Sequence, residues 1–455
     1  MIAAVLWSGK VLPEAVKPAG NPLTPTVVLL LRYSLSTMSK RIVFAVWGSL
    51  GDLHPYMAIA RELRTRGHRC VIATTNFHRE RVEAEQFEFA PMGPHLDADP
   101  ALMKNSLHLR RGPRFLLRDM VIPYTRQSVV ETMTAIAGAD LLVTHPIAYG
   151  AQLVAQKTEI PWASTALAPA GMFSGCEPSV RMQSPILAKL ESTGPWLDRI
   201  LLKVARRETN RWVAPIHKVR DELGLPSNGN PIFEGQFSPQ LTLALFSPLF
   251  ATAQPDWPPN TVITGFPFYS ESNSMDARLR NFMESGSPPI VFTLGSAASA
   301  VPRNFFDESL KAIARLQRRA ALIVGAFGPN QFTSGLPANV AAFPYAPYSE
   351  LFSHAAVNVH HGGIGTTAQA LRSGRPMLVV PFAFDQPDNA ARARKLGVAR
   401  SLFIHQYNAS RAVRELGPLL EDAGYRQNAS AVGERLKAED GVGKACDALE
   451  RLIAA

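Results

Sequence analysis

One order of elements recurs along the chain and constrains its fold most: a short, continuously apolar run, a glycine-containing loop and then an amphipathic helix. The first run is Ile42 to Trp47, apolar at every position, as expected for a parallel strand covered on both faces. Gly48 to Pro55 supplies the loop and the helix start, and apolar residues recur at helical spacing from Tyr56 to Leu63. Later strands are expected at 71–74 and 140–144. The pattern predicts a doubly wound α/β domain.

A second set of the same pattern begins after a proline-rich passage at residues 255–267. Its first strand is predicted at 289–294, with further strands near 321–324, 356–360 and 377–380. The sequence therefore predicts two Rossmann-like, doubly wound domains that face each other across a cleft. We place the first at 40–257, a linker at 258–284, the second at 285–440, and a C-terminal helix at 441–455.

Residues 1–39 are predicted to be a disordered extension or a misassigned start, because residues 1–37 contain scattered prolines and no amphipathic period. Three cysteines, none of them in a CxxC pair, exclude a disulfide framework and a cysteine-rich zinc site. No apolar run approaches the ~20 residues that span a bilayer. These features predict a cytoplasmic protein, with peripheral attachment at the inner face of the membrane as an open possibility.

The net charge of +10 suits phosphate-bearing ligands, nucleic acid or an anionic membrane surface, without choosing among them. Nucleic-acid binding has only this charge in its favour, since no recognisable module is present, and we expect no nucleic-acid partner.

The stretch His360 to Gln369 is the most informative part of the chain. It follows an apolar strand, contains three glycines and leads into a helix. Glycines let the backbone approach a ligand closely, and a helix N-terminus offers free N–H groups, so an anion such as a diphosphate is the expected guest. A glycine-rich turn that serves only packing is the alternative.

A second polar cluster, Pro381 to Asn389, also lies between a strand and a helix. Adjacent carboxylate and amide side chains, as at Asp385 and Gln386, can hold several sugar hydroxyls. Alternatively, Asp385 is only a helix N-cap.

Together, the stretch His361 to Asn389 and the upstream Tyr345 to Tyr348 resemble the nucleotide-sugar signature of family 1 glycosyltransferases, the UDP-glycosyltransferase-like enzymes of the GT-B fold. Gly48 to Pro55 is similar to the GSxGDxxP loop of the bacterial and sterol branch of that family. The passages at 254–267 and 289–295 most resemble the rhamnosyltransferases of rhamnolipid synthesis. The resemblance covers Lys40 to the C-terminus.

The resemblance implies a donor site in the second domain. His361 would contact the donor α-phosphate, and Asp385 with Gln386 would grip the donor sugar. Tyr345 falls where many relatives stack a tryptophan on the nucleobase, although a core role for it is equally compatible, and Gln369 falls where plant members use a glutamate for the ribose. The remaining diphosphate contacts implied are Gly363, Gly365, Thr366 and Ser296.

In the first domain, the resemblance points to Asp52 as the general base, because the bacterial and sterol branch has an aspartate where plant members have a histidine. A carboxylate there can take the proton of an acceptor hydroxyl as it attacks the anomeric carbon. The alternative is that Asp52 caps the following helix. His54 and His145 are acceptor-side candidates, each with a structural role as its alternative.

No metal and no cofactor beyond the nucleoside-diphosphate sugar are expected, since a helix N-terminus and His361 can offset charge on the leaving diphosphate. The triplet Asp97 to Asp99 sits in a loop and is assigned no function. The basic, apolar segment from Lys104 to Arg126 could lie on an anionic membrane or admit a lipid acceptor, with a solvated charged face as the alternative.

The sequence thus predicts an inverting hexosyltransferase that acts on a nucleoside-diphosphate sugar, UDP-linked by preference, and on a hydroxyl of a lipophilic small molecule or lipid. A non-catalytic nucleotide-sugar-binding paralogue and a nucleotide-sugar epimerase remain open. A dinucleotide-dependent oxidoreductase is disfavoured, because neither glycine loop reads G-x-G-x-x-G with an acidic residue about 20 positions on.

Overall fold

The structure, a computed structural model, describes residues 39–93, 111–177, 195–270, 274–295, 304–325 and 335–455. The predicted extension at 1–39, apart from its last position, and the Asp97 to Asp99 triplet lie outside these ranges. Ser296 and the part of the basic segment before residue 111 also lie outside them.

Within the described ranges, the first domain is built on a parallel sheet in the order β3-β2-β1-β4-β5-β6-β7. Its strands are β1 Arg41–Ala45, β2 Arg69–Thr74, β3 Glu88–Pro91, β4 Leu141–Thr144, β5 Trp162–Ala166, β6 Leu241–Ala244 and β7 Thr261–Ile263. Its helices are α1 Leu50–Thr65, α2 Arg79–Ala84, α3 Gly112–Arg114, α4 Thr125–Ala135, α5 Tyr149–Thr158, α6 Pro195–Thr209 and α7 Ala214–Glu222. Between α3 and α4 the chain forms a π-helical segment, Phe115–Val121.

The second domain has a parallel sheet in the order β10-β9-β8-β11-β12-β13. Its strands are β8 Ile290–Thr293, β9 Ala320–Ile323, β10 Val340–Phe343, β11 Val357–His360, β12 Met377–Val379 and β13 Ala399–Ser401. The helices from residue 277 onward are α8 Ala277–Glu284, α9 Asn304–Leu316, α10 Tyr348–Leu351, α11 Ile364–Arg372, α12 Gln386–Lys395, α13 Ala409–Glu421, α14 Ala423–Lys437 and α15 Gly441–Ala454. The two parallel sheets confirm the predicted pair of Rossmann-like domains.

The stretch predicted as a linker, 258–284, contains regular structure. Strand β7 pairs with β6 at the edge of the first sheet, and α8 buries Leu279 and Met283. The run Thr261–Ile263 is only three residues long and is flanked by prolines, so the sequence shows no hydrophobic alternation that would predict a strand. It becomes a strand by pairing with β6.

The C-terminal helix α15 returns to the first domain. Cys446 and Leu449 are fully buried in the same apolar cluster as Leu53 and Tyr56 of α1. Arg66, at the end of α1, forms ion pairs with Asp447 at 2.7 Å and Glu450 at 2.8 Å. The last helix therefore joins the two halves of the chain.

Each sheet reverses its strand order once, and the two reversals position the site. In the first sheet the reversal lies between β1 and β4, and in the second between β8 and β11. Ligands of open α/β sheets bind in the crevice beyond the carboxyl ends of strands at such a point. Helix α11, which follows β11, contacts α1, which follows β1, so the two crevices are adjacent.

Candidate active site

Asp52 lies in the first turn of α1, beyond the carboxyl end of β1. Its Oδ2 accepts hydrogen bonds from the backbone N–H of Ser49 at 2.7 Å and from the Ser49 hydroxyl at 2.8 Å. This arrangement is a capping box, so the predicted capping role of Asp52 is present in the structure. Because capping uses Oδ2, Oδ1 is available for another partner.

That partner within the protein is His145, beyond the end of β4. Its Nε2 lies 3.5 Å from Oδ1 of Asp52, and its Nδ1 accepts a hydrogen bond from the backbone N–H of Ile147 at 3.3 Å. The imidazole is thus held with its Nε2 facing the carboxylate. His145, predicted on the acceptor side, is thus placed to orient Asp52.

The surroundings of Asp52 favour its ionised form. Burial raises the pKa of this carboxyl, but the hydrogen bond and charge of His145 and the hydrogen bonds from Ser49 outweigh burial, and the pKa lies below the ordinary 3.8. The side chain is 32% exposed, so an acceptor can reach it. At neutral pH, Asp52 is therefore an accessible carboxylate, able to accept a proton.

The loop before Asp52 depends on a glycine and on a histidine that the sequence patterns did not single out. Gly48 has φ +135°, and a Cβ there would lie 2.3 Å from Oδ2 of Asp52. Nε2 of the buried His78 lies 2.9 Å from the Gly48 carbonyl oxygen. His78 belongs to no motif, so only the fold identifies it as a support of this loop.

His54 faces away from Asp52 along α1. Its ring stacks on Tyr269, with centroids 4.5 Å apart, and burial lowers its pKa to about 4. Tyr269 belongs to the segment that leads into the second domain. This placement matches the structural alternative for His54.

His361 follows β11 directly and is packed between two glycines. A Cβ at Gly295 would lie 2.6 Å from its Cε1, and a Cβ at Gly363 would lie 2.6 Å from its Nε2. The side chain is about nine-tenths buried, and among the described residues its Nδ1 has no hydrogen-bond partner. Burial lowers its pKa to about 4, so the ring is neutral at pH 7. An unpaired buried nitrogen beside a glycine-lined cleft is what a ligand-binding imidazole would leave in the free protein.

Helix α11 begins immediately after His361. Gly363 is its N-cap, and the first main-chain bond back to the cap comes from the N–H of Thr367, so the preceding N–H groups of the helix have no main-chain partner among the described residues. Gly365 and Thr366 lie in this first turn, Gly365 exposed and Thr366 half-buried, and the half-buried Gln369 lies one turn further on. The structure thus brings His361, Gly363, Gly365 and Thr366 to the N-terminal end of one helix, the kind of place where anions bind.

Asp385 and Gln386 stand at the start of α12, beyond β12. Asp385 occupies the N-cap position without making a capping hydrogen bond, which removes the predicted alternative for it. Gln386 Oε1 accepts from the backbone N–H groups of Phe382 at 2.8 Å and Ala383 at 3.2 Å. The amide oxygen of Gln386 therefore shapes the loop, and its NH₂ is the group left to donate to a sugar.

Asn389 connects the two halves of this site, although the sequence suggested no role for it. Its Nδ2 donates to the Gly362 carbonyl at 2.9 Å and to Oδ2 of Asp385 at 2.8 Å. The residue is fully buried. Its position one turn after Asp385 was the available signal, because residues four apart on a helix are neighbours.

Burial raises the pKa of Asp385 to about 7, and the charges of Asp52 and Asp388 add to this, while the Asn389 hydrogen bond opposes it. The folded protein therefore holds this proton more tightly than the unfolded chain, and the resulting stability is lost as pH rises through about 7. Asp385→Asn, neutral at every pH, should melt about 2 °C or more above the wild type at pH 8. The gap should shrink toward pH 5; an equal gap at both pH values in thermal-shift assays would contradict this pKa.

Asn389→Leu should lower kcat/KM for the donor by roughly 10- to 100-fold, because a buried hydrogen bond to a carboxylate is lost. It should also move the pH midpoint assigned to Asp385 to higher values, since one group that lowers this pKa is removed. Asn428→Leu is the matched control: Asn428 also donates to a backbone carbonyl, that of Gly397, but outside the site. An unmoved midpoint would mean that Asn389 has only a packing role.

Tyr345 follows β10 and is 47% exposed. This exposure excludes the core role considered for it.

A pocket opens in the first domain at the same edge as Asp52. Its larger lining side chains are Trp47, Met92, Val121, Tyr124, Ile147 and Tyr149. The Trp47 Nε1–H is buried and, among the described residues, has no hydrogen-bond partner. Burial raises the pKa of the Tyr149 hydroxyl, which therefore stays protonated. The pocket walls are mostly apolar, and its free volume of about 10 Å³ holds about one water molecule.

The two domains are also joined by a buried ion cluster. Arg392 of α12 pairs with Glu177 of the first domain at 2.6 Å and with Asp388 at 2.8 Å. Its guanidinium also donates to the Phe250 carbonyl at 3.2 Å. These contacts hold the helix that carries Asp385 against the first domain.

Within the described ranges, no group of three His, Cys, Asp or Glu side chains is arranged to hold a metal ion. In the same part of the chain, every helix is too short or too polar to cross a membrane.

Two domain families match this chain. Residues 42–167 match the glycosyltransferase family 28 N-terminal domain. Residues 309–449 match the C-terminal domain described as erythromycin biosynthesis protein CIII-like. Each match falls within one of the two Rossmann-like domains.

Named relatives resemble the chain over most of its length. It is 31% identical over 424 residues to the O-mycaminosyltylonolide 6-deoxyallosyltransferase of Streptomyces fradiae, covering 90% of this chain and 97% of the relative. It is 26% identical over 429 residues to the sterol 3-beta-glucosyltransferase UGT80B1 of Arabidopsis thaliana, covering 90% of this chain and 68% of the relative.

Solved structures share the fold. The calicheamicin glycosyltransferase CalG4 superposes with a TM-score of 0.67 at 18% identity, covering 92% of this chain and 99% of that one. The spinosyn forosaminyltransferase SpnP also gives a TM-score of 0.67 at 18% identity, covering 92% of this chain and 100% of that one. From its two domain matches and its nearly full-length likeness to a named transferase, the chain belongs to the GT-B glycosyltransferases that combine a family 28 N-terminal domain with an EryCIII-like C-terminal domain.

Proposed function

We propose that this enzyme transfers a hexose, with inversion, from a nucleoside-diphosphate sugar to a hydroxyl of a lipophilic small molecule or lipid. The observation that carries the proposal is the contact between α11, which begins after His361, and α1, which carries Asp52. The charge of Asp52 also adds to the burial that raises the pKa of Asp385. A proton acceptor and a sugar-binding group thus face one cleft.

The donor half of the proposal rests on His361 and α11. The unpaired N–H groups at the start of α11 and the neutral imidazole can stabilise a diphosphate as negative charge develops on it. This chemistry is served by the residues described and calls on no metal ion. Asp385 and the NH₂ group of Gln386 lie beyond the neighbouring strand, where a sugar attached to that diphosphate would extend.

The acceptor half rests on the pocket beside Asp52. Apolar walls favour a lipophilic molecule, and the relatives named above include a sterol glucosyltransferase and a tylonolide glycosyltransferase. Once an acceptor hydroxyl sits at Oδ1 of Asp52, the carboxylate takes its proton as the oxygen attacks the anomeric carbon and the diphosphate leaves from the opposite face. A single displacement of this kind inverts the anomeric configuration.

The experiment is calorimetric titration with UDP and dTDP, followed by a transfer assay with UDP-glucose and dTDP-rhamnose on a panel of hydroxylated sterols, macrolide aglycones and hydroxy fatty acids. The resemblance to rhamnosyltransferases is the reason for including the second donor. We expect a nucleotide to bind and a β-linked product from an α-linked donor. Nucleotide binding without transfer to any acceptor would favour the non-catalytic alternative, and the absence of nucleotide binding would overturn the proposal.

A further inference from the structure

Helix α6 presents an apolar stripe to solvent. Trp196, Ile200 and Val204 are 58%, 48% and 58% exposed, and they recur every four residues along one side of the helix. The opposite side, with Leu202, packs into the first domain. Large apolar side chains aligned in this way on a surface usually mark an interaction site.

The same exposed side carries an excess of positive charge. Interleaved with the stripe are four exposed cations and one exposed anion, Glu208. The cations are Arg199, Lys203, Arg207 and Arg211. Among the described residues, the last three form no ion pair, whereas many other arginines of the chain are paired. Their charge is therefore available to an external anionic surface.

From this alternation we propose that the outer face of α6, defined by Trp196, Ile200, Val204, Lys203 and Arg207, docks on an anionic lipid bilayer. A helix with tryptophan and aliphatic residues flanked by cations lies in the interface plane, its apolar side chains among the acyl chains and its cations at the headgroups. A protein partner would have to supply matching acidic side chains around an apolar groove. A bilayer that contains anionic lipid offers both features over any area.

The position of α6 relates this docking to the proposed reaction. Leu202 on its buried side and Val121 belong to the same apolar cluster, and Val121 also lines the pocket beside Asp52. Docking through α6 would therefore bring the acceptor pocket close to the membrane, where lipophilic acceptors partition. In the described part of the basic segment suggested by the sequence, Arg126 is paired with Glu222 at 2.6 Å and Arg118 lies 3.8 Å from Asp119.

The test is co-sedimentation of the full-length protein with phosphatidylcholine vesicles with and without phosphatidylglycerol. The wild type should bind only the anionic vesicles and be released by high salt. Replacing Lys203, Arg207 and Arg211 by glutamine should lower the partition coefficient roughly 100-fold. Trp196→Ser with Ile200→Ser should also lower it, by at least about 10-fold, because apolar area no longer enters the bilayer.

Two matched variants control for charge and apolarity. Arg426, Arg435 and Lys437 changed to glutamine remove the same charge from α14, and Val130→Ser with Met133→Ser removes exposed apolar area from α4; both should bind vesicles as the wild type does. Equal binding by the α6 variants, or wild-type binding to pure phosphatidylcholine, would overturn the proposal, as would a dimer in size-exclusion chromatography that the Trp196 change dissociates. UDP titration of every variant separates this result from a failure of the proposed donor site.

Discussion

Asp52→Asn is expected to lower kcat by about 10²- to 10⁴-fold while leaving the affinity for UDP unchanged. The amide cannot take a proton from the acceptor hydroxyl, whereas His361 and the start of α11, the groups proposed to bind the diphosphate, are unchanged. Steady-state kinetics with saturating donor, combined with calorimetry, measures both quantities.

The control for this variant is Ser49→Ala. Asp52 has a capping role as well as the proposed catalytic one, and both variants disturb the cap at Ser49. Each should cost about 1 kcal/mol of stability, but Ser49→Ala keeps the carboxylate and should keep most of kcat. If Asp52→Asn lost stability to the same extent as Ser49→Ala and retained its turnover, Asp52 would be a cap and nothing more.

Activity should not depend on the titration of Asp52 between pH 5 and 8, because the pKa of this carboxyl lies below 3.8. A pH dependence near neutrality is expected from Asp385 instead, whose pKa is about 7. Burial raises the pKa of both carboxyls; at Asp52 His145 and the hydrogen bonds from Ser49 outweigh it, whereas at Asp385 the charges of Asp52 and Asp388 add to it.

His361→Ala should weaken UDP binding by roughly 10- to 100-fold, the loss of one hydrogen bond to a charged group. Since the pKa of His361 is about 4, its ring is neutral across the physiological range, and the size of this effect should be the same at pH 6 and pH 8. Isothermal titration calorimetry at both pH values measures it.

His405→Ala is the matched control, because His405 is exposed and belongs to a different loop of the second domain. It should bind UDP like the wild type. Unchanged UDP affinity in His361→Ala would separate this histidine from the donor site and leave the α11 N-terminus as the only support for a diphosphate there.

The sequence by itself determined the architecture and predicted most of the residues that we propose as the donor site. Continuously apolar runs such as Ile42 to Trp47 specify buried parallel strands, because only a strand covered on both faces can bury every side chain. Glycines at 363 and 365 after such a run specify a close backbone approach at a helix N-terminus. These signals are local, so they can be read without coordinates.

Only the tertiary structure decided which distant residues meet. His145 reaches Asp52 because β1 and β4 are neighbours in the sheet, and no local pattern encodes that adjacency. Glu177 likewise meets Arg392, 215 positions further along the chain, only in the folded protein, whereas the Arg392–Asp388 pair is a local contact within one helix. Even the exposed stripe of α6 needed the fold, because a helical period shows two faces and only packing decides which one remains in water.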